Sequence, residues 1–175
     1  MIELLILFII SQHETSMYGI RKKILEQFGS YTQPSFGAIK PALRRLEKSE
    51  CIISRKTLSE GGKQFGFYSI TEKGIKELKE VLLQDISDNP LQFFTNARIK
   101  ISCASVLDNN DIQKLYLDLK TQALTLKNTT ESILNKDKNN LSFYQRIMLD
   151  NTICEYQNFI QTVELLENKN NAGNS

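Results

Sequence analysis

Seven consecutive apolar residues, Leu4 to Ile10, open the chain. The run is far short of the ~20 residues that cross a bilayer, and it reads as a helix buried on most sides, over Ile2 to Ser11. A polar, turn-like segment, Gln12 to Ser16, follows. Met17, Ile20, Ile24 and Phe28 then recur at helical spacing and predict a second helix that stops at Gly29. Ser35 is placed to cap a third helix running to about Ser49. Ile39, Leu43 and Leu46 form its buried stripe, and Lys40, Arg44, Arg45 and Lys48 lie off it. Pro41 is tolerable there only within the first turns, where hydrogen bonds are missing anyway. The rhythm then shifts from helical spacing to alternation. Cys51–Leu58 and Phe65–Ile70 read as two strands joined by Ser59–Gln64, whose Gly61 and Gly62 tolerate positive φ. Thr71 is a helix cap and Glu72 favours the first turn of a fourth helix, which reaches about Gln84.

Asp85 to Pro90 reads as a linker, and beyond it the pattern is helical throughout. Phe93, Phe94 and Ile99–Leu107 make a third apolar block. Asn109-Asn110-Asp111 is a turn and cap. Ile112, Leu115, Leu119, Gln122, Leu126, Thr129 and Ile133 follow steps of three and four until Asn135–Asn140 break the series. A last helix carries Leu149, Ile153, Tyr156, Ile160 and Val163 in the same rhythm. Two long helices with such seams pack against each other or across a dimer. The expected division is therefore an N-terminal domain over 1–85, a helical domain over 86–168, and a frayed polar tail over 169–175.

A basic helix followed directly by a hairpin with a Gly-Gly tip suits a winged helix, which lays one helix in the DNA major groove and a loop on the flanking backbone. Composition adds modest support. The whole chain is only +2, but residues 1–85 hold 13 Lys/Arg against 10 Asp/Glu, and residues 86–175 hold 9 against 10. Within 35–63 there are 7 basic and 3 acidic residues, a local excess that suits phosphate contacts and equally suits a solvated helix face. Cys51, Cys103 and Cys154 are odd in number and widely spaced, and His13 is the only histidine. Disulfide frameworks, zinc sites and histidine-based catalysis therefore have almost no material, and a reducing, cytoplasmic setting fits best. Glu3 in place of a positive n-region, with no small-residue cleavage site after the apolar run, argues against a signal peptide. No nucleophile–base set or phosphate loop stands out, so an enzyme is disfavoured and no cofactor is expected.

Four segments carry a family resemblance. S-M-Y-G-I-R-K-K-I, G-A-I-K-P-A-L-R-R-L-E, E-G-G-K-Q-F-G-F-Y-S-I-T and T-E-K-G occur in order and at matching spacing between Leu4 and about Leu82. Together they resemble the PadR family of bacterial winged-helix transcriptional regulators. The chain departs from the family pattern at Met17, where a glycine is usual, at Lys40, where a tyrosine is usual, and at Phe65 and Gly66, which replace a basic pair in the second wing strand. The resemblance implies a mainly α fold with a small β-hairpin: an N-terminal winged helix-turn-helix and a C-terminal helical dimerisation domain. The long tail resembles the branch of the family that dimerises through it and responds to small aromatic acids or other ligands. The chain lacks tryptophan, so the stacked drug site of the shorter branch is not available in that form.

The expectation is a homodimeric regulator, a ligand-responsive repressor of a pseudo-palindromic operator, with no membrane association. Its expected DNA contacts are Tyr18, Ser35, Gly37, Lys40, Arg44, Arg45, Lys63 and Gln64. Its expected dimer contacts are Leu149, Ile153, Tyr156, Ile160 and Val163. Plainer alternatives stand beside three of them: Ser35 as a cap only, Arg45 in an ion pair with Glu47 neighbours or other helices, Tyr18 in core packing with an outward hydroxyl. At the level of the whole chain the alternative is a winged helix that binds protein and leaves its basic face solvated.

Overall fold

The computed structural model describes residues 1–58, 64–86, 89–136 and 140–172. The chain is mainly helical with one small sheet, and it divides into two compact units. The first comprises Met1–Gln84 and Phe94–Val106, the second Asp85–Phe93 and Leu107–Ser175.

In the first unit α1 (Ile2–Gln12) is the centre. Leu4 to Ile10 are all buried, as a continuous apolar run requires, and the helix packs on α2 (Met17–Phe28), α3 (Phe36–Lys48), α4 (Glu72–Leu83) and a strand. Phe8 meets Phe28 edge to face, ring centroids 5.9 Å apart. Caps set the helix starts. Ser16 Oγ accepts from the Gly19 amide at 3.2 Å and Thr71 Oγ1 from the Gly74 amide at 3.0 Å. The segment Gln12–Ser16 is not simply a turn. Thr15 and Ser16 form β1, which pairs antiparallel with β3 (Gln64–Ile70), itself paired with β2 (Ile52–Leu58), giving the order β1-β3-β2. The two residues satisfy backbone groups on an otherwise open edge of β3.

The end of α3 sets the direction of the hairpin. The Cys51 amide bonds back to the Leu46 carbonyl and the Glu50 amide to that of Glu47, the two bonds of a Schellman motif. Its left-handed position is Glu50, at φ 60°, where glycine is usual. Gly74 has a different duty. A Cβ there would lie 2.0 Å from the Cys51 carbonyl oxygen, so only glycine lets α4 start against the entry to β2. Lys100, on α5 (Pro90–Cys103), is buried and donates to the Leu82 and Gln84 carbonyls, closing the end of α4.

The second unit is built on the antiparallel pair α6 (Asn109–Lys136) and α7 (Phe143–Ala172). Asp108 is the cap of α6, its carboxylate accepting from the Asp111 amide at 3.0 Å. Ser142 and Gln145 make a reciprocal capping box at the start of α7. That helix continues beyond Asn168, where the polar tail begins in sequence. Leu115, Tyr116, Leu119 and Ala123 of α6 are buried, as are Tyr156, Phe159 and Val163 of α7. Phe93 stands 5.9 Å from the Tyr156 ring and 5.2 Å from that of Phe159. Lys120 pairs with Glu167 at 2.6 Å, and Gln122 donates to the Ile86 carbonyl at 2.8 Å. Toward the other end of the hairpin, among the described residues from 124 to 155, nothing is fully buried.

Candidate nucleic-acid interface

The exposed face of α3 is the centre of the candidate site. Ile39, Ala42, Leu43 and Leu46 turn into the core, which leaves Gly37, Lys40, Pro41, Arg44 and Lys48 outward. The wide separation of the two faces follows from the i, i+3, i+4, i+7 spacing of the apolar positions. Lys40 and Arg44 are one helical turn apart on this face, and neither is engaged in a salt bridge among the described residues. Pro41 lies inside the helix at its sixth residue, one turn further in than its missing amide would favour.

The leading end of α3 is open. Ser35 has the extended backbone of a cap, φ −78°, but its side chain makes no capping hydrogen bond, unlike those of Ser16 and Thr71. Gly37 is exposed. A Cβ there would meet only Ser35 Oγ, at 3.4 Å, so the fold itself does not require a glycine. The first amides of the helix therefore lie behind little side-chain bulk, an arrangement that suits an anion.

Tyr18, near the start of α2, is 68% exposed and belongs to the surface rather than the core. Its ring stacks on Phe36, centroids 6.3 Å apart and planes 22° from parallel. The Arg21 guanidinium lies 5.0 Å over the same Phe36 ring, and its Nε donates to the Pro34 carbonyl at 3.2 Å. Sequence reasoning missed Phe36 and Arg21. Phe36 precedes Ile39 by three residues, so spacing alone assigns it to the buried stripe. It stands instead between stripe and basic face, 38% exposed.

Arg45 is in a different position from Lys40 and Arg44. Its Nε pairs with Glu3 at 2.6 Å, tying α3 to α1. Arg55 of β2 likewise reaches Glu14 at 3.2 Å. Both pairs are largely solvated and worth at most about 1 kcal/mol each. Tyr68, on β3, is half-buried; burial, with the Glu47 carboxylate adding, pushes its phenol up, so it stays a neutral hydroxyl. Lys63, expected at the wing tip, lies outside the described residues, as does the side chain of Gln64.

The expected dimer residues divide by burial. Tyr156 and Val163 are covered within the chain itself, while Leu149, Ile153 and Ile160 are half-buried. The exposed apolar side chains nearby are Phe143, Tyr144, Ile147 and Met148 of α7 and Leu124 and Ile133 of α6. No group of three or more His, Cys, Asp or Glu among the described residues could hold a metal ion. No helix among them is long and apolar enough to cross a membrane.

Comparison with known proteins addresses the same region. Residues 6–80 match the model of the transcriptional regulator PadR-like family. No curated protein matches. Among solved structures, a PadR-like transcriptional regulator from Bacillus cereus is 35% identical over 45% of this chain and 74% of its own, with a TM-score of 0.38. A PadR family transcription regulator from Clostridium difficile is 27% identical over 46% of this chain and 81% of its own, TM-score 0.40. PadR of Bacillus subtilis, solved in complex with operator DNA, aligns over 96% of this chain and 98% of its own at 18% identity and a TM-score of 0.44. The matched residues run from within the buried stretch of α1 through the hairpin into α4, and that part of the chain belongs to the PadR-like family of transcriptional regulators.

Proposed function

We propose that this chain is a sequence-specific DNA-binding repressor that acts as a homodimer on a pseudo-palindromic operator and is tuned by a small effector. The observation that carries the reading is the exposed face of α3, where Lys40 and Arg44 stand one turn apart behind an open helix start. In this reading the α3 side chains meet base edges, and Tyr18, Ser35, Gly37, Arg45, Lys63 and Gln64 meet or admit the backbone. Arg45 does so with the part of its guanidinium that Glu3 leaves over. The operator complex of Bacillus subtilis PadR supports the assignment of DNA as the partner.

Dimerisation rests on the helical hairpin. Two antiparallel helices cannot cover each other on all sides, and the end opposite Tyr156 leaves aromatic and aliphatic side chains in water. A second copy covers them through α7, with Leu149, Ile153 and Ile160 at the margin of the contact and Tyr156 and Val163 supporting it from within. A recess of about 480 Å³ at this end is lined by Ile133, Leu141, Tyr144, Gln145, Met148, Leu149 and Thr152. An effector acts by favouring one spacing of the two α3 helices over another.

Selection from random duplexes tests the reading. The expected result is an enriched site with half-sites one or two helical turns apart, bound with an affinity that falls steeply with salt as phosphate contacts release counterions. An unenriched pool with binding flat in salt would transfer the winged helix to a protein partner.

A further inference from the structure

Phe36 is the first residue of α3, and its exposure runs against its chemistry. A phenylalanine that only closed the corner between α2 and α3 would turn inward with Ile39 and Leu43. This ring instead stands between the buried stripe and the basic face, 38% exposed, at the head of the i, i+4 row that continues to Lys40 and Arg44. It is also held. Tyr18 stacks on it, Arg21 lies over it, and Arg21 is itself fixed to the Pro34 carbonyl. The result is an apolar group of set orientation at the start of a helix whose first residues, in a helix-turn-helix, are the ones that reach base edges. The adjacent Gly37 adds no side chain that would hold the ring away from a duplex.

The major-groove edge of DNA offers one apolar group, the C5-methyl of thymine. We infer that Phe36 reads a thymine methyl in each half-site, making it a specificity-determining residue beside the two cations that follow it. The inference rests on the proposed DNA-binding function. It assigns Tyr18 and Arg21 as positioning residues that keep the ring from rotating away.

The test uses the full chain and the duplex obtained by selection. Each thymine of the half-site is replaced in turn, symmetrically, by deoxyuridine, which lacks only the methyl. The expected result is one position at which the wild type loses about fourfold in affinity per half-site, the equivalent of one buried methyl group. Phe36→Ala, folded by circular dichroism, should show no loss at that position and keep the response to base changes elsewhere. A second measurement needs no variant. 5-Iododeoxyuridine at the same position, irradiated in the wild-type complex, should crosslink to the peptide that contains Phe36. Deoxyuridine silent at every thymine, an unchanged loss in Phe36→Ala, or a crosslink to another residue each overturns the inference while leaving DNA binding intact. Failure to select any site removes the inference together with the function it rests on.

Discussion

Gly74 and Gly37 show what a single residue does in this fold. At Gly74 a methyl group would enter the Cys51 carbonyl and the Ile70 side chain, which stands 2.7 Å from the same point. Backbone must move, so Gly74→Ala should destabilise by about 1–3 kcal/mol, measured by urea unfolding. Gly37→Ala meets only Ser35 Oγ, at 3.4 Å, and should not lower that midpoint, while weakening operator affinity, because the added methyl stands between the helix start and the phosphates. Equal midpoints for the two variants would contradict this division. Cys103 gives a pH dependence of definite sign. Burial pushes its thiol up from an ordinary 9.0 to about 12. The folded state thus keeps a proton that the unfolded chain releases, so this contribution to stability is complete below about pH 9 and declines between pH 9 and about 12. Cys103→Ala should flatten the alkaline fall in thermal midpoint over that window, and a fall of unchanged slope would remove the assignment.

At the scale of elements, the two serines before α2 and α3 have become different devices. Both sit at cap positions with nearly the same backbone angles, but only Ser16 makes the bond. Ser16→Ala should lower stability by about 1 kcal/mol. Ser35→Ala should leave stability within error and reduce DNA affinity, since its hydroxyl is not occupied in holding the helix start. Comparing the two by denaturation and by operator titration decides it: a destabilised Ser35→Ala with unchanged affinity would make Ser35 a structural residue. The cap at Thr71, the break at Gly29 and the switch to alternation at Cys51 are all legible in the chain, because each depends on residues within a turn or two. The end of α3 is not. A glutamate in the left-handed region carries no local signal, and it persists because the Leu46 and Glu47 carbonyls accept the bonds that follow.

For the whole molecule, the unburied end of the α6–α7 hairpin is the feature with consequences. Tyr144→Glu with Met148→Glu places charge where a second copy is proposed to sit and touches none of the buried cluster around Phe93, Tyr156 and Phe159. The pair should convert the dimer to a folded monomer by light scattering, with helical content retained and operator binding reduced to that of one half-site. A doubly substituted protein that stays dimeric and keeps full affinity would move the contact elsewhere.

Periodicity and caps determined by themselves the order of the four helices and the hairpin from Ile2 to Leu83, the buried run Leu4–Ile10, the outward placement of Lys40 and Arg44, and the two long helices. These are properties of neighbours in sequence, which a face repeating every three or four residues expresses directly. Tertiary structure alone decided the rest. Thr15 and Ser16 are a strand only because β3 presents an edge to them. Phe36 has core spacing but finds its partners in Tyr18 and Arg21, on a different helix. Arg45 belongs to the same basic cluster as Arg44 but meets Glu3, 42 residues earlier. Of the five α7 seam positions, Tyr156 and Val163 are covered where α6 and Phe93 supply a surface and Leu149 is not, because burial depends on what the remainder of the chain brings alongside, and a repeat of three and four does not contain that information.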